Sequence, residues 1–173
     1  MQFMISRKWS GLGMALLCGV HGLSRQETAA RTEELSRALG LEPILARRAG
    51  KLSGGWQRRL SIAMALIARP EILFLDEPTL GLDVLARAEL WDVIRALKGR
   101  ITVILTTHYM EEAEALSDRV GVMNHGQLVE VGTTEDIFYH PTHPYTKKLL
   151  KAVPMLPGSR KRYGGSEEQR ENG

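Results

Sequence analysis

The chain has 173 residues, of which 43% are hydrophobic and 25% are charged, and its formal net charge is +3. This composition is ordinary for a globular protein with room for one core. Cys18 is the single cysteine, which excludes an internal disulfide and suits a reducing compartment. The apolar run at residues 11–20 is too short for a transmembrane helix and lacks a clear signal-peptide cleavage site. We therefore expect a soluble or peripheral protein.

The first predicted helix begins at a capping box, S-R-Q-E, formed by Ser24 and Glu27. This helix is expected to reach Leu39 and to stop at Gly40. Residues 41–51 are predicted to form a short helix and a linker.

A second helix is predicted to start after Ser53 and to end at Arg69-Pro70. Five residues with helical spacing define its expected apolar face: Trp56, Leu60, Ala63, Met64 and Ile67.

Two short apolar runs predict buried parallel strands, ILFLD at residues 72–76 and ITVILTT at residues 101–107. The helix predicted between them covers about residues 84–97, with Asp83 as its N-cap. This order of strands and helices predicts an α/β fold with a parallel sheet flanked by helices.

The rest of the chain predicts a helix at residues 109–117 and then a hairpin that turns through Asn124-His125-Gly126. Thr133 or Thr134 is expected to cap a helix that runs toward Tyr139. An amphipathic helix at residues 145–153 follows, and residues 154–173 are predicted to be disordered.

Three polar residues follow the predicted strands directly: Asp76 and Glu77 after the first, and His108 after the second. Parallel α/β sheets bind their ligands at the carboxyl ends of the strands. A strand-end acid alone is usually a cap, and a lone histidine usually packs. Because all three residues fall at the same predicted edge, a functional site is expected there.

Four segments together resemble the ATP-binding domain of ABC transporters. LSGGWQRR resembles the family signature, ILFLDE the Walker B strand, LGLD the D-loop, and the histidine of TTH the switch histidine. The resemblance covers roughly residues 22–132 and implies part of a P-loop NTPase fold, with ATP and Mg²⁺ as cofactors.

The resemblance implies a role for each matching residue. Asp76 would hold Mg²⁺ through a water, Glu77 would orient or deprotonate the attacking water, and His108 would contact the γ-phosphate. The signature residues would contact ATP held by another subunit, and Asp83 would communicate between subunits; the residues implied in binding are Ser53, Gly54, Gly55, Gln57 and Asp83.

The phosphate-binding loop G-x-x-x-x-G-K-[ST] does not occur in the sequence. Lys51 is the only lysine preceded by glycine, but Leu52 follows it and Leu45 stands where the first glycine belongs. The chain is therefore expected to begin inside the helical subdomain of the family, and its own ATPase activity is in doubt. The remaining sheet is expected to have an uncovered edge and an uncovered apolar face.

The expected organisation has three parts: an atypical start at residues 1–21, the C-terminal portion of an ABC ATP-binding domain at residues 22–153, and a disordered tail at residues 154–173. The central part is divided into a helical subdomain at 22–69, a catalytic-core part at 70–132 and C-terminal helices at 133–153.

The resemblance leaves several functions open. Residues 106–133 resemble the ATPases of drug and polymer exporters, whereas residues 140–154 resemble oligopeptide and nickel importers. We favour export because the first region is longer and nearer the chemistry. The alternatives are an importer subunit, a catalytically silent partner that lends its signature to another ATPase, and a soluble ABC protein of DNA repair or translation.

The expected partners are a second ABC ATPase subunit, in a head-to-tail dimer that could be a heterodimer, and transmembrane permease subunits. No nucleic acid is expected. The resemblance implies a cytoplasmic protein that is peripheral on the inner face of the cell membrane.

Overall fold

The computed structural model describes Val20 and residues 22–153, which fall into two compact units with their boundary after Thr106. The expectations for residues 1–19 and 154–173, an atypical start and a disordered tail, lie outside the described residues. None of the described helices is long and apolar enough to cross a bilayer.

Within its described residues, the N-terminal unit contains three α-helices and a two-stranded parallel sheet. Its elements are α1 (Arg25–Leu39), α2 (Gly54–Leu66), β1 (Ile72–Asp76), α3 (Val84–Arg95) and β2 (Thr102–Thr106), with 3-10 turns at Glu42–Ile44 and Ala49–Lys51. The predicted order of elements and the α/β class are confirmed. The two 3-10 turns replace the short helix and linker that we expected between α1 and α2.

The start and end of α1 are set by local hydrogen bonds. The Glu27 carboxylate accepts from the Ser24 amide at 2.8 Å, and the Ser24 hydroxyl accepts from the Glu27 amide at 3.3 Å. Gly40 ends the helix in the left-handed region, with φ of 61°. The predicted capping box and stop are therefore confirmed.

The parallel strands pair in a register that places Asp76 opposite Thr106. One face of this pair is open, because Phe74 is 71% exposed and Ile104 is 45% exposed, whereas Leu73 on the other face is buried. The prediction that both strands are fully buried is therefore wrong: among the described residues, nothing covers the face of Ile72, Phe74 and Ile104. The expected uncovered apolar face is confirmed.

Helices α2 and α3 approach closely at their N-termini. A Cβ added to Gly54 would lie 3.1 Å from Leu82 Cδ2, and one added to Gly55 would lie 3.1 Å from Ala86 Cβ. Arg59 of α2 forms an ion pair with Glu89 of α3, with an N–O distance of 2.6 Å. Glycine at the start of α2 thus allows the two helices to pack in contact.

The predicted apolar face of α2 is only partly correct. Leu60, Ala63 and Ile67 are buried as expected, but Trp56 and Met64 are half-buried. Ile62 and Leu66 are buried instead. The contacts of α2 with both α1 and α3 explain the shift, because a helix between two neighbours buries a wider sector than a single stripe.

We expect Gly55→Val to lower the free energy of unfolding by about 1–3 kcal/mol, because the added side chain overlaps Ala86. Urea unfolding followed by the fluorescence of Trp56 and Trp91 would measure this change. Ala86→Gly in the same chain should recover part of the loss, and equal stability of Gly55→Val and the wild type would contradict the close contact.

Up to Val153, the C-terminal unit consists of a hairpin and three short helices. Its elements are α4 (Met110–Leu116), β3 (Arg119–Asn124), β4 (Gln127–Thr133), α5 (Thr134–Tyr139) and α6 (Pro144–Lys151). The predicted hairpin is confirmed, with His125 and Gly126 in the turn at φ of 47° and 77°. Two positive φ values match the right-handed twist of the strands. Of the two threonines predicted as caps, Thr133 caps α5.

The core of this unit forms where one face of the hairpin meets α5 and α6. Its fully buried members are Val122, Ile137, Phe138 and Leu150. The opposite face of the hairpin is open, with Met123, Leu128 and Val131 all at least half exposed.

Glu130 of β4 fixes the segment that leads into α6. Its Oε1 accepts from both the amide and the hydroxyl of Thr142 at 2.7 Å. Burial alone would raise the pKa of the Glu130 carboxyl, but the neighbouring hydroxyls of Thr146 and Thr142, with backbone amides, lower that pKa to about 2. The ionised carboxylate therefore stabilises this part of the fold.

Because the folded-state pKa of Glu130 lies below its ordinary value of 4.5, its contribution is complete above pH 4.5 and disappears as the pH falls toward about 2. We expect Glu130→Gln to lower the protection of the α6 amides at neutral pH by about 1 kcal/mol, after allowance for solvent screening. Hydrogen exchange at several pH values would measure this difference, which should shrink through that pH window.

Glu135→Gln is the matched control, because Glu135 is an exposed carboxylate of α5. A loss of protection for Glu130→Gln that stayed constant from neutral pH to pH 2 would show that the charge of Glu130 is not the cause.

Candidate functional site

The carboxyl edge of the parallel sheet brings together the two predicted acids. Asp76 ends β1, and its carboxylate accepts a short hydrogen bond from the hydroxyl of Thr106, the last residue of β2. The Glu77 amide donates to the Thr106 carbonyl at 3.0 Å and lies 3.3 Å from the Thr106 hydroxyl. One residue of β2 thus contacts both acids.

Glu77 adopts a left-handed backbone conformation, with φ of 44°. A residue with a side chain rarely occupies this region, and such conformations are concentrated at functional sites. Here the hydrogen bonds from the Glu77 amide to Thr106 hold the conformation. The chain turns sharply after Asp76, so that two consecutive carboxylates start from different backbone conformations.

The exposed carboxylate of Asp76 provides one of the carboxylates through which Mg²⁺ is usually bound. Mg²⁺ keeps several waters and is usually held by one or two carboxylates together with substrate phosphates. No group of three or more potential metal ligands occurs within residues 22–153. The described residues therefore fit a magnesium ion that is bound mainly by water and phosphate, and they do not fit a cage built from protein ligands alone.

Ser53 stands at the N-cap position of α2 and is exposed. Its side chain makes no capping hydrogen bond, although serine is a common capping residue. The Ser53 hydroxyl therefore lies at the positive end of the helix dipole and does not cap the helix. This arrangement differs from that of Ser24, Asp83 and Thr133, whose side chains do cap the helices that follow them.

Gly54, Gly55 and Asp83 are part of one structural contact. The glycines pack against Leu82 and Ala86, which flank Asp83. The Asp83 carboxylate accepts from the Ala86 amide at 2.8 Å and so caps α3, as predicted. The signature segment and the D-loop segment are therefore neighbours within one unit.

Gln57 and Arg59 have partners inside the chain. The Gln57 side-chain amide donates to the Leu52 carbonyl at 2.9 Å, which braces the segment before Ser53. Arg59 pairs with Glu89, and its guanidinium lies 4.8 Å from the centre of the Trp56 ring. The structure thus places Gln57 in support of the signature segment.

His108 belongs to the C-terminal unit, two residues after the end of β2. It is exposed, and its ring lies 4.1 Å from that of Tyr109. Asp76 and Glu77 are thus connected through Thr106 in the N-terminal unit, whereas His108 belongs to the C-terminal unit. Sequence reasoning missed Thr106, although its place opposite Asp76 in the predicted parallel register could have indicated it.

Two family models match the chain. Residues 6–80 match the ABC transporter family, and residues 129–172 match the C-terminal region of oligopeptide/dipeptide transporters. The second match includes the segment at residues 140–154 that resembled importers.

Curated relatives share more than two fifths of their residues with the aligned part of the chain. The glutathione import ATP-binding protein of Salmonella typhi is 42% identical over 80% of this chain and 23% of its own length. The dipeptide transport ATP-binding protein of Bacillus subtilis is 46% identical over 61% of this chain and 32% of its own length. The daunorubicin resistance ATP-binding protein of Streptomyces coeruleorubidus is 44% identical over 68% of this chain and 38% of its own length.

This chain therefore spans between about a quarter and two fifths of the relatives it matches. With both family models matched, it belongs to the ATP-binding proteins of ABC transporters and represents part of their length.

Proposed function

We propose that the chain is part of an ATP-binding subunit that energises an ABC transporter, and that Ser53 to Gly55 contact ATP held by the phosphate-binding loop of a second ATPase subunit. The observation that carries this proposal is the exposed Ser53 hydroxyl at the start of α2, which makes no capping bond. A hydroxyl and amides at a helix N-terminus suit a phosphate. The head-to-tail dimer is what the resemblance of the signature to that of ABC ATP-binding domains implies.

The acids at the sheet edge support a role in ATP hydrolysis. Magnesium, when bound with ATP, supplies positive charge that stabilises the transferred phosphoryl group. Where a phosphate-binding loop also places ATP at this sheet edge, Asp76 would hold that ion through a water, and Glu77 would orient or deprotonate the attacking water. This ATP is different from the one that Ser53 contacts. His108 would donate a hydrogen bond to the γ-phosphate. The domain boundaries that we expect from the sequence are part of this proposal, including the catalytic-core part at residues 70–132.

The direction of transport that we propose is import, which reverses the preference drawn from the sequence. The match of residues 129–172 to the oligopeptide/dipeptide region supports import. The partners would be a second ATPase subunit, in a dimer that could be a heterodimer, and membrane permease subunits. Such an assembly would lie on the cytoplasmic face of the membrane.

The catalytically silent partner remains a second candidate, because the sequence carries the signature and no phosphate-binding loop. In that case Asp76, Glu77 and His108 would have no ATP to act on in this chain. Substitution of Glu77 separates the two functions: Glu77→Gln in the assembled pair should reduce ATP turnover only if this subunit takes part in hydrolysis.

The proposal predicts that the purified chain alone does not hydrolyse ATP. Together with an ATP-binding subunit that carries a complete phosphate-binding loop, the chain should form an ATP-dependent complex. Ser53→Ala should weaken this association by about 10- to 100-fold, because a hydrogen bond to a charged phosphate is lost. Size-exclusion chromatography with and without ATP would measure it.

Ser61→Ala is the matched control, because it makes the same change on the same helix, where the Ser61 hydroxyl donates to the Gln57 carbonyl at 2.9 Å. Steady ATP turnover by the chain alone, or equal association of Ser53→Ala and the wild type, would contradict the proposal.

A further inference from the structure

The hydroxyl of Thr106 connects the two acids at the sheet edge. It donates to Asp76 Oδ1, and its oxygen lies 3.3 Å from the Glu77 amide nitrogen, from which it accepts. A threonine hydroxyl has one donor and two acceptor positions, so both bonds can exist together. Asp76, Glu77 and Thr106 all belong to the N-terminal unit, and Thr106 is the register partner of Asp76.

The two bonds act on different groups. The bond to Asp76 involves an ionised carboxylate and is therefore of the stronger kind. It engages Oδ1 and restricts the rotation of the carboxylate at the exposed strand end. The bond from the Glu77 amide adds to the one that the Thr106 carbonyl accepts at 3.0 Å, and both oppose relaxation of the left-handed backbone at Glu77.

We infer that Thr106 is a positioning residue for magnesium-dependent ATP hydrolysis: it aims Asp76 at the metal-bound water and holds Glu77 in its left-handed conformation. The inference rests on the function proposed above. A threonine suits this task because its β-branch restricts rotation about χ1. The residue touches neither nucleotide nor metal itself and acts through the two acids.

The test uses the full chain labelled with ¹⁵N, and Mn²⁺ together with inorganic triphosphate as the probe of the metal site, because the phosphates supply ligands that the two acids do not. Paramagnetic broadening of the Asp76 and Glu77 amide signals reports the Mn²⁺ concentration at which the site fills, and no ATP turnover is needed. In Thr106→Val, which removes the hydroxyl and keeps the shape, this midpoint should rise about tenfold, as expected for loss of an outer-sphere partner. Thr106→Ser, which keeps the hydroxyl, should restore the midpoint of the wild type.

Thr102→Val is the matched control. Thr102 lies on the same face of β2 as Thr106, but it pairs with Ile72 at the other end of the strand, away from the acids. Its midpoint should equal that of the wild type. Without metal, the Glu77 amide signal should shift in Thr106→Val and stay in place in Thr106→Ser. Should the valine variant not fold, Thr106→Ala removes the same hydroxyl.

Equal midpoints for the wild type and Thr106→Val, or an unmoved Glu77 amide signal, would overturn the role of Thr106 and leave the proposed function standing. Wild-type signals at Asp76 and Glu77 that Mn²⁺ does not broaden would instead overturn the metal role of Asp76, and with it the basis of this inference.

Discussion

The parallel pairing of β1 with β2 is the constraint on which the candidate site depends. Its register ends both strands at the same level, so that Asp76 and Thr106 face each other and Glu77 must turn away at once. A shift of one residue would move the Asp76 carboxylate to the opposite face of the sheet from Thr106. The positions of these residues at the sheet edge are therefore set by the backbone hydrogen bonds between the two strands.

Close packing of α2 on α3 is the second constraint, and it connects two segments that are far apart in sequence. The glycines after Ser53 leave no room for side chains beside Leu82 and Ala86. Any movement of the α2 N-terminus must therefore be accommodated by the turn around Asp83. The same glycines that would admit a phosphate to the backbone amides also fix where those amides lie.

Much of the fold could be predicted from the sequence where local interactions decide it. The capping box at Ser24 and the hairpin turn at His125-Gly126 are local, and both are confirmed. The exposure of Phe74 does not follow from its apolar run, which indicates what a strand would bury and not whether a partner layer is present. The open face was expected only because the phosphate-binding loop of the family does not occur in the sequence. Thr106 was missed for a similar reason: its role depends on a neighbour 30 residues away.

The open face of the parallel sheet has a consequence for the degradation of the protein in the cell. Phe74 and Ile104 present an apolar surface of the kind that chaperones hold and proteases attack in incompletely folded chains. The rate at which the polypeptide is degraded would then depend on how long this surface stays accessible after synthesis. Any layer that packed on Phe74 and Ile104 would cover this surface and so slow degradation.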